Sequence, residues 1–366
     1  DNQFIVVNYS LNYSKNKHNI IFGSTYSEYD GDHFGETIWS QNSGDIEFTD
    51  LFYNGNGLKK DFSNFIKSLY QITGRLSIYA DLQLREINYN TYGSTSNIPE
   101  LELDKKYSFF NPKFGLNFKL NPKNRVYFSA AKAFREPTRS DYENNFNIKP
   151  EELIDFELGW SHSSNNIILN TNLYYMNYEN QLVLTGALDD VGSPIRENSG
   201  KSYRAGIEIE TGLTISEKIN LLGNISLSEN KNIDYVTTFD GQLRNLGDTD
   251  ISYSPSFISS VVFNYSPNSK FDISILNKHV GEQFMSNNGS AYSKLDSYSV
   301  TDLNLRYIFD GIDLLDELSI NLLINNIFSA EYASNGYYYT YDDTESDENM
   351  ITTIEGTGYY PQATRN

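Results

Sequence analysis

Two arginines lie four residues apart in FREPTRSDY, residues 134–142, where they could bind an anion. Arg135 and Arg139 are unusual cations in a chain that carries 28 lysines and arginines against 48 acidic residues. Guanidinium groups hold carboxylates and phosphates through paired hydrogen bonds. Pro137 ends the strand before it, because proline cannot donate to a sheet ladder. Two interpretations stay open: Arg135, Arg139 and Tyr142 contact a ligand, or the segment is a structural corner.

Two glutamates, Glu208 and Glu210, have the residue type of an acid–base pair. They stand two apart on a strand, so both side chains point to one face, and paired carboxylates can hydrolyse glycosides. Asp81 and Arg85 share one face of another strand in the same way. We favour the interpretation that all four line a polar interior. Because no nucleophile elbow or phosphate-binding loop occurs, we predict that the chain is not an enzyme and has no cofactor.

Metal-ligating residue types are present, but they lack the spacing of a metal site. The four histidines, His18, His33, His162 and His279, show no such pattern. His33 lies in the polar stretch DGDHFGE, where it could contact a ligand. The run YDDTESDEN, residues 341–349, could supply oxygen ligands to calcium. It lacks the EF-hand spacing and glycine, so a solvated loop is favoured and we predict no resident metal ion.

Composition excludes several classes of protein. A formal net charge of −20 at pH 7 disfavours nucleic acid as a partner, because phosphates attract a positive surface. Cysteine is absent, which rules out disulfides, thiolate metal sites and a cysteine nucleophile. No run approaches the ~20 apolar residues of a membrane helix. The 29 tyrosines and 22 phenylalanines favour strands and surfaces that border two solvents.

Period-two alternation of apolar and polar residues runs through the chain. In INLLGNISLSEN, residues 219–230, apolar side chains fall on one side and mainly Asn or Ser on the other, with Leu222 the exception. About fifteen such segments occur, most near the 9–11 residues of a tilted strand that crosses a bilayer. Short polar gaps alternate with long ones, which predicts an all-β, antiparallel, up-and-down transmembrane barrel. The long polar stretches are residues 28–59, 93–106, 135–150, 179–200, 229–253, 284–295 and 330–358.

The apolar faces are predicted to contact lipid rather than a protein core. Strands of a soluble sandwich are usually about 5–6 residues long, and the segments here are longer. Aromatic residues also cluster where the apolar stripe reaches the short turns, as in the interfacial girdle of a membrane barrel. The predicted girdle residues are Tyr13, Trp160, Tyr265, Phe271, Tyr307 and Phe309. A soluble β-sandwich stays as the alternative, and it requires the apolar faces to pack on each other.

Several segments resemble the TonB-dependent outer-membrane receptors, in their Bacteroidetes-like version. These segments are YDGDHFGETIW (29–39), NPKFGLNFKLN (111–121), YFSAAKAFREPTRSDY (127–142), ENSGKSYRAGIEIE (197–210), NNIFSAEYASNGYYYTY (325–341) and YYPQATRN (359–366). The resemblance implies a barrel of roughly twenty-two strands with a plugged lumen. On that basis residues 1–366 are a single partial β-barrel domain, about two-thirds of the barrel, and the N-terminal plug domain and the last strand are not in this chain.

The resemblance also implies a function, the TonB-energised uptake of a scarce solute across the bacterial outer membrane. A ferric chelate of the siderophore type is expected first, then haem, cobalamin or an oligosaccharide. Long loops are expected outside the cell and short turns in the periplasm. Lipid and lipopolysaccharide surround such a barrel, and the TonB complex engages the missing plug.

Under this hypothesis, six residues contact the solute or the plug. They are Arg135, Arg139, Tyr142, His33, Trp39 and Tyr337. The long loops around Trp39 and Tyr337 are rich in Tyr, Asn, Gly and Ser, which suits adaptable recognition of a chelate or a sugar. A passive porin or structural outer-membrane barrel without a plug is the alternative.

Overall fold

A computed structural model describes residues 2–41, 44, 47–96, 98–189, 192–309, 317–344 and 350–365. This part of the chain is almost entirely β-structure, with one six-residue helix, α1 (Arg139–Asn144), and a 3₁₀ turn at Ala291–Ser293. No helix among these residues is long and apolar enough to span a membrane. The chain forms two compact units, the first comprising Asp1–Leu116 and Ser129–Ile154, the second Asn117–Phe128 and Asp155–Asn366.

The first unit is an antiparallel sheet in which each strand pairs with its neighbour in sequence. The strands that contribute to it are β1 (Asn2–Lys15), β2 (His18–Glu36), β3 (Leu51–Gln71), β4 (Leu76–Gly93), β5 (Leu101–Asn121), β6 (Asn124–Arg135) and β7 (Glu151–Ser163). Their order across the sheet is β1-β2-β3-β4-β5-β6-β7. The last three strands also contribute residues to the second unit.

The second unit continues the up-and-down order. Its further strands are β8 (Ile167–Glu179), β9 (Leu182–Leu188), β10 (Pro194–Asn198), β11 (Lys201–Ser216), β12 (Ile219–Ile233), β13 (Val236–Phe239), β14 (Gln242–Asn245), β15 (Thr249–Asp250), β16 (Phe257–Asn268), β17 (Phe271–Val280), β18 (Gln283–Phe284), β19 (Lys294–Leu295), β20 (Tyr298–Phe309), β21 (Leu318–Ile324), β22 (Ala333–Asp343) and β23 (Thr352–Pro361). The sheet order is β7-β8-β11-β12-β16-β17-β20-β21, and β15 also pairs with β12. The other strands form the two-stranded pairs β9–β10, β13–β14, β18–β19 and β22–β23.

Short and long connections alternate along the chain, as the sequence predicts. The turns at 16–17, 122–123 and 217–218 have two residues each. In the first of them Asn16 has a φ of 53°, a left-handed conformation that asparagine tolerates and that tight hairpins need. The prediction of an all-β, antiparallel, up-and-down fold is confirmed.

The strands of the first unit are longer than the alternation suggests. Residues 28–59 read as one long polar stretch, but β2 extends to Glu36 and β3 begins at Leu51. Their ladder continues through pairs such as Gly31 with Gly57. Backbone pairing satisfies the N–H and C=O groups here without any apolar side chain, so alternation alone underestimates how far two paired strands extend.

The sheet exposes apolar side chains and covers polar ones. On β4, Leu82 and Leu84 are 46% and 56% exposed. Asp81 and Arg85 point to the opposite face, where both are partly buried and take part in ion pairs. A sheet with one face on a soluble core and one in water has the reverse arrangement. Contiguous exposed apolar surface indicates contact with a membrane or another protein.

The long connections of the second unit are folded rather than open loops. Residues 179–200, 229–253, 284–295 and 330–358 read as polar stretches, yet the four two-stranded pairs lie in them. Their packing centre is a small cluster of Met285, Leu295 and Tyr338, each at most 3% exposed. Met285 and Leu295 come from residues 284–295 and Tyr338 from residues 330–358, so no periodicity marks the cluster in the sequence.

Candidate functional site

The segment FREPTRSDY forms the corner between β6 and α1. Pro137 follows the strand, and Thr138 is the N-cap of the helix. The Asp141 carboxylate accepts hydrogen bonds from the Thr138 backbone N–H at 2.7 Å and from its hydroxyl at 2.8 Å. These bonds hold the first turn of a helix that is too short to be stable alone. Arg139 is thereby presented to a cavity in the first unit.

Glu136, at the start of this corner, is the centre of an ion-pair network. Its Oε1 accepts from Lys59 Nζ at 2.7 Å and from Arg85 Nη2 at 2.8 Å, and its Oε2 accepts from Arg85 Nη1 at 2.9 Å. The Arg85 Nε also donates to both carboxylate oxygens of Asp61, at 2.9 and 3.1 Å. Burial acts to raise the pKa of Glu136, but the hydrogen bonds from Lys59 and Arg85 hold that pKa below its ordinary value.

A cavity of about 300 Å³ opens beside this network. Its lining includes Tyr29, His33, Lys59, Tyr89, Tyr107 and Arg139. The Tyr29 hydroxyl and the Nε2 atom of His33 lie 3.3 Å apart. A mainly apolar wall with a few convergent polar groups is the usual make-up of a small-molecule site. The lining also contains the Glu136 carboxylate, which pairs with Lys59. Arg139 is therefore the cation that favours an anionic ligand with an aromatic or apolar body.

Arg139 has one guanidinium nitrogen that no described residue satisfies. Its Nε donates to Glu143 Oε1 at 2.8 Å, one helical turn away. Its Nη1 is buried and has no hydrogen-bond partner within the described part of the chain. An unsatisfied buried donor costs about 1–3 kcal/mol, and more when it is charged.

Tyr142 lies behind the cavity rather than in its lining. The side chain is fully buried, its hydroxyl is hydrogen-bonded to that of Tyr107, and its ring centre is 6.4 Å from that of Tyr89. Lys105 Nζ lies 5.3 Å from the Tyr142 ring centre. Burial and the bond with Tyr107 raise the pKa of Tyr142. The residue fastens α1 to the strands, which is the structural interpretation of this corner.

Arg135 and Trp39 also lie outside the cavity lining. The Arg135 side chain is 53% exposed and pairs with Glu151 at 3.1 Å. Trp39 is 77% exposed in the connection after β2. Of the residues predicted to contact a solute in the first unit, the structure brings Arg139 and His33 together in one cavity.

Tyr337, the predicted contact residue of the second unit, lies on β22. Its ring covers Gly358 on the paired strand, where an added Cβ would come within 2.3 Å of the ring. It also stacks with Tyr339, with ring centres 6.3 Å apart. This glycine permits the close approach of the ring to the backbone, so Tyr337 stabilises the β22–β23 pair.

The second unit has its own cleft, of about 520 Å³, on the polar face of β8, β11 and β12. Glu208 and Glu210 line it beside Arg125. The two glutamates lie opposite Asn172 and Asn170 on β8, so they share one face of the sheet. Neither carboxylate has a hydrogen bond or an ion pair with the residues that the structure describes. Two such carboxylates suit a wetted wall or a polar partner.

Four predicted girdle residues share one face of the second unit. Phe271 lies opposite Tyr307, with ring centres 6.3 Å apart, and the rings of Tyr307 and Phe309 are 4.6 Å apart. Tyr265 pairs with Ile273, two residues from Phe271 on the same strand, so it points the same way. The four rings lie near the short connection at 269–270 and near the end of β20 at Phe309.

Trp160, the fifth girdle residue, lies beside a short turn. Its Nε1 donates to the side-chain oxygen of Asn124 at 3.2 Å. The same oxygen lies 3.0 Å from Nδ1 of His162. The amphipathic indole thus has its polar edge satisfied at the end of the strand, as membrane-interface tryptophans do.

The structure places no metal-binding group among the described residues, where no cluster of three or more His, Cys, Asp or Glu side chains occurs. His18 stacks on Tyr70, with ring centres 4.2 Å apart. Asp342 of the acidic run accepts a hydrogen bond from the Thr353 hydroxyl at 2.7 Å. The rest of that run from 345 to 349, and the connection 310–316, lie outside the described residues.

Sequence reasoning missed Lys59, Asp61 and Glu136. Lys59 and Asp61 stand two apart on β3, so they share one face, but such pairs are common in a polar stretch. Their partners are set by the β3–β4 register and by the position of the corner after β6. The one available signal was the pair of opposite charges two residues apart on β3, beside a strand, β4, that carries Arg85.

The comparison with known proteins decides the family. The model of the family described as TonB dependent receptor-like, beta-barrel, matches residues 1–327. The chain belongs to the TonB-dependent receptors. This is a family of outer-membrane receptors and transporters, and the match includes the FREPTRSDY corner, the cavity beside it and the polar cleft of the second unit.

Solved structures with a similar fold match this chain over its whole length. Fiu, a ferric-catecholate import receptor of E. coli K12, is 16% identical with a TM-score of 0.69, and PiuA, a siderophore receptor of Acinetobacter baumannii, is 14% identical with 0.70. The copper transporter OprC is 12% identical with 0.76. Each match covers 100% of this receptor chain and 53% to 55% of the other protein. At these identities the likeness shows the fold alone, and the chain spans about half the length of the proteins that it matches.

Proposed function

We propose that this chain is the greater part of the barrel wall of an outer-membrane receptor that imports a ferric chelate with energy from TonB. The observation that carries the proposal is the Arg139 cavity, whose lining combines this guanidinium group with the tyrosines Tyr29, Tyr89 and Tyr107. Many ferric chelates are anionic and present aromatic or carboxylate oxygens, so their chemistry matches this lining. The family membership supports uptake as the use of the site.

The proposal includes an orientation. The long connections, which carry the Arg139 corner and the four two-stranded pairs, lie outside the cell, and the short turns lie in the periplasm. The exposed apolar face contacts lipid, with lipopolysaccharide at the outer rim, and the aromatic girdle lies at the periplasmic interface. Arg85, Asp81, Glu208 and Glu210 face the lumen, where a plug domain energised by TonB would meet them.

The test is uptake of radiolabelled iron by cells that express the full-length receptor. We expect accumulation from an anionic chelate such as ferric citrate or a ferric catecholate, and its loss when tonB is deleted. Arg139→Met should weaken binding of the anionic chelate about tenfold or more, because a hydrogen bond to a charged group contributes about 1.5–3 kcal/mol.

The matched control is Arg244→Met. Arg244 is half exposed on β14, pairs with Asp240 and is not among the residues that line the cavity. This variant should take up the chelate like the parent. Uptake that continues without tonB would identify a passive porin instead. Equal effects of the two arginine variants would show that the cavity does not take part in uptake.

A further inference from the structure

A second cavity lies among the folded connections of the second unit, remote in sequence from the Arg139 corner. It has a volume of about 140 Å³, and its lining includes Thr185, Glu197, Tyr235, Thr237, Thr340 and Tyr339. The lining residues come from the pairs β9–β10, β13–β14 and β22–β23, and from the connection between β18 and β19. It therefore exists only when several connections fold together.

Asn287 holds these connections in place. Its side chain is 1% exposed, and its Nδ2 donates to the Leu184 carbonyl at 2.8 Å. Its Oδ1 accepts from the Ser252 backbone N–H at 3.0 Å and from Asn232 Nδ2 at 3.3 Å. One buried amide thus joins three other segments, and the cavity is formed before any ligand arrives.

Glu197 gives this cavity its charge. Within the described part of the chain, one hydrogen bond reaches its carboxylate, from the Tyr235 hydroxyl to Oε1. The second oxygen is left without a donor on the wall of the cavity. Burial raises the pKa of Glu197, and the bond from Tyr235 opposes that rise. A desolvated carboxylate with one donor is stabilised by a cation that comes close to it.

The rest of the lining suits a cation and disfavours an anion. No lysine, arginine or histidine is among the lining residues. Threonine hydroxyls can accept hydrogen bonds from an ammonium group, and Tyr235, Phe239 and Tyr338 contribute aromatic residues to the lining. Arg244 lies over the Phe239 ring at 5.0 Å and is held by Asp240. This cavity is opposite in charge to the Arg139 cavity.

We propose that this cavity binds the primary ammonium group of a small soluble amine, with Glu197 as its counter-ion and the threonine hydroxyls as further acceptors. The site is separate from the chelate site, and it does not depend on iron uptake. The ligand class follows from one carboxylate, several hydroxyl acceptors, aromatic walls and no base in a small preformed space.

The test is isothermal titration calorimetry on the full-length receptor in a non-ionic detergent, with butylammonium as the probe. Butylammonium is expected to bind, and 1-butanol, which has the same chain without the charge, is expected to bind at least tenfold more weakly. Glu197→Gln should weaken butylammonium binding tenfold or more. Glu217→Gln, which removes a carboxylate from an exposed turn, should leave it unchanged.

A second variant covers the case in which Glu197→Gln disturbs the fold of the connections. Thr340→Val keeps the carboxylate and removes one acceptor, so butylammonium affinity is expected to fall about threefold with an unchanged melting temperature.

Butylammonium affinity should also fall as the pH drops and Glu197 takes up a proton, and this pH dependence should vanish in Glu197→Gln. The other titratable groups of the lining are Tyr235, Tyr338 and Tyr339. The Glu355 carboxylate accepts a hydrogen bond from the Tyr338 hydroxyl.

Three outcomes would overturn the inference: no binding of butylammonium, equal binding of 1-butanol, or an unchanged affinity in Glu197→Gln. These outcomes are distinct from a failure of chelate uptake. If uptake fails while butylammonium binds through Glu197, the ammonium site stands and the proposed transport function falls.

Discussion

Lys59 Nζ lies 2.7 Å from Glu136 Oε1, although 77 residues separate the two in sequence. The contact joins the middle of β3 to the corner that follows β6. Arg85 bonds the same carboxylate from β4, so three strands and a helix start depend on one side chain. The network therefore fixes the backbone that carries Arg139 into the cavity lining, which agrees with the structural interpretation of the corner.

Replacing Glu136 by Gln should lower the free energy of unfolding by about 1.5–3 kcal/mol, because two partly buried cations lose their charged hydrogen-bond acceptor. The measurement is urea-induced unfolding of the refolded receptor in lipid vesicles. Glu282→Gln is the matched control, since Glu282 is 60% exposed and pairs with Lys294 at 2.6 Å. An exposed pair contributes about 0–1 kcal/mol, so equal losses in the two variants would contradict the importance of the network.

The contribution of Glu136 should depend on pH in one direction. Its pKa in the folded state lies below the ordinary value of 4.5. The stabilisation is therefore complete above 4.5 and is lost as the pH falls through the lower, folded-state pKa. We expect the difference in unfolding free energy between the parent and Glu136→Gln to be constant near neutrality and to shrink under acid conditions. If this difference in unfolding free energy grew on acidification, the pKa of Glu136 in the folded state would not lie below its ordinary value.

Arginine at position 225 should be far more costly than arginine at position 224. Ile225 is 41% exposed on the apolar face of β12, whereas Asn224 lines the polar cleft on the other face. An arginine on the lipid face near the bilayer centre costs about 2–4 kcal/mol, and a lumen substitution costs little. Unfolding of Ile225→Arg and Asn224→Arg in lipid vesicles measures the difference. Equal stabilities would mean that the apolar face does not contact lipid.

Asn287→Ala should loosen the connections of the second unit without unfolding its sheet. The variant leaves the buried Ser252 N–H without its acceptor, at about 1–3 kcal/mol for an unsatisfied group. The Leu184 carbonyl loses one of two donors and keeps its bond from the Ser252 hydroxyl at 2.6 Å. Hydrogen exchange should become faster in β9–β10 and β15 and stay slow in β11 and β12. Asn268→Ala, at an exposed turn, is the control. Uniformly faster exchange across the sheet would show that these connections do not form a separate cooperative unit.

The strands were predictable because apolar and polar residues alternate along each of them, one set for each face of the sheet. Ile207, Ile209 and Leu213 alternate with Glu208 and Glu210, and the structure pairs this strand in register with β8 and β12. The two-residue turns were equally visible, since polar residues interrupt the alternation there. These features are local, so no knowledge of distant contacts is needed to find them.

The site was predictable only in its outline. Arg139 and His33 were identified as candidates for ligand contact, and both line the cavity. Tyr142 was grouped with them, although the fold buries it behind Tyr107 and Tyr89. Tyr142 follows Arg139 by three residues on α1, and the rotation of this six-residue helix decides whether each side chain lines the cavity. A helix this short shows no periodicity from which that rotation could be predicted.

The alternating strands, the order of short and long connections, the acidic charge and the family resemblance follow from residues that are neighbours in the chain. Three other features follow from the folded chain: Lys59, Arg85 and Glu136 meet, the polar connections fold around Asn287, and Glu197 lines a cavity without a basic residue. Those contacts join residues tens of positions apart, and they depend on strand register and on the folding of separate connections against one another.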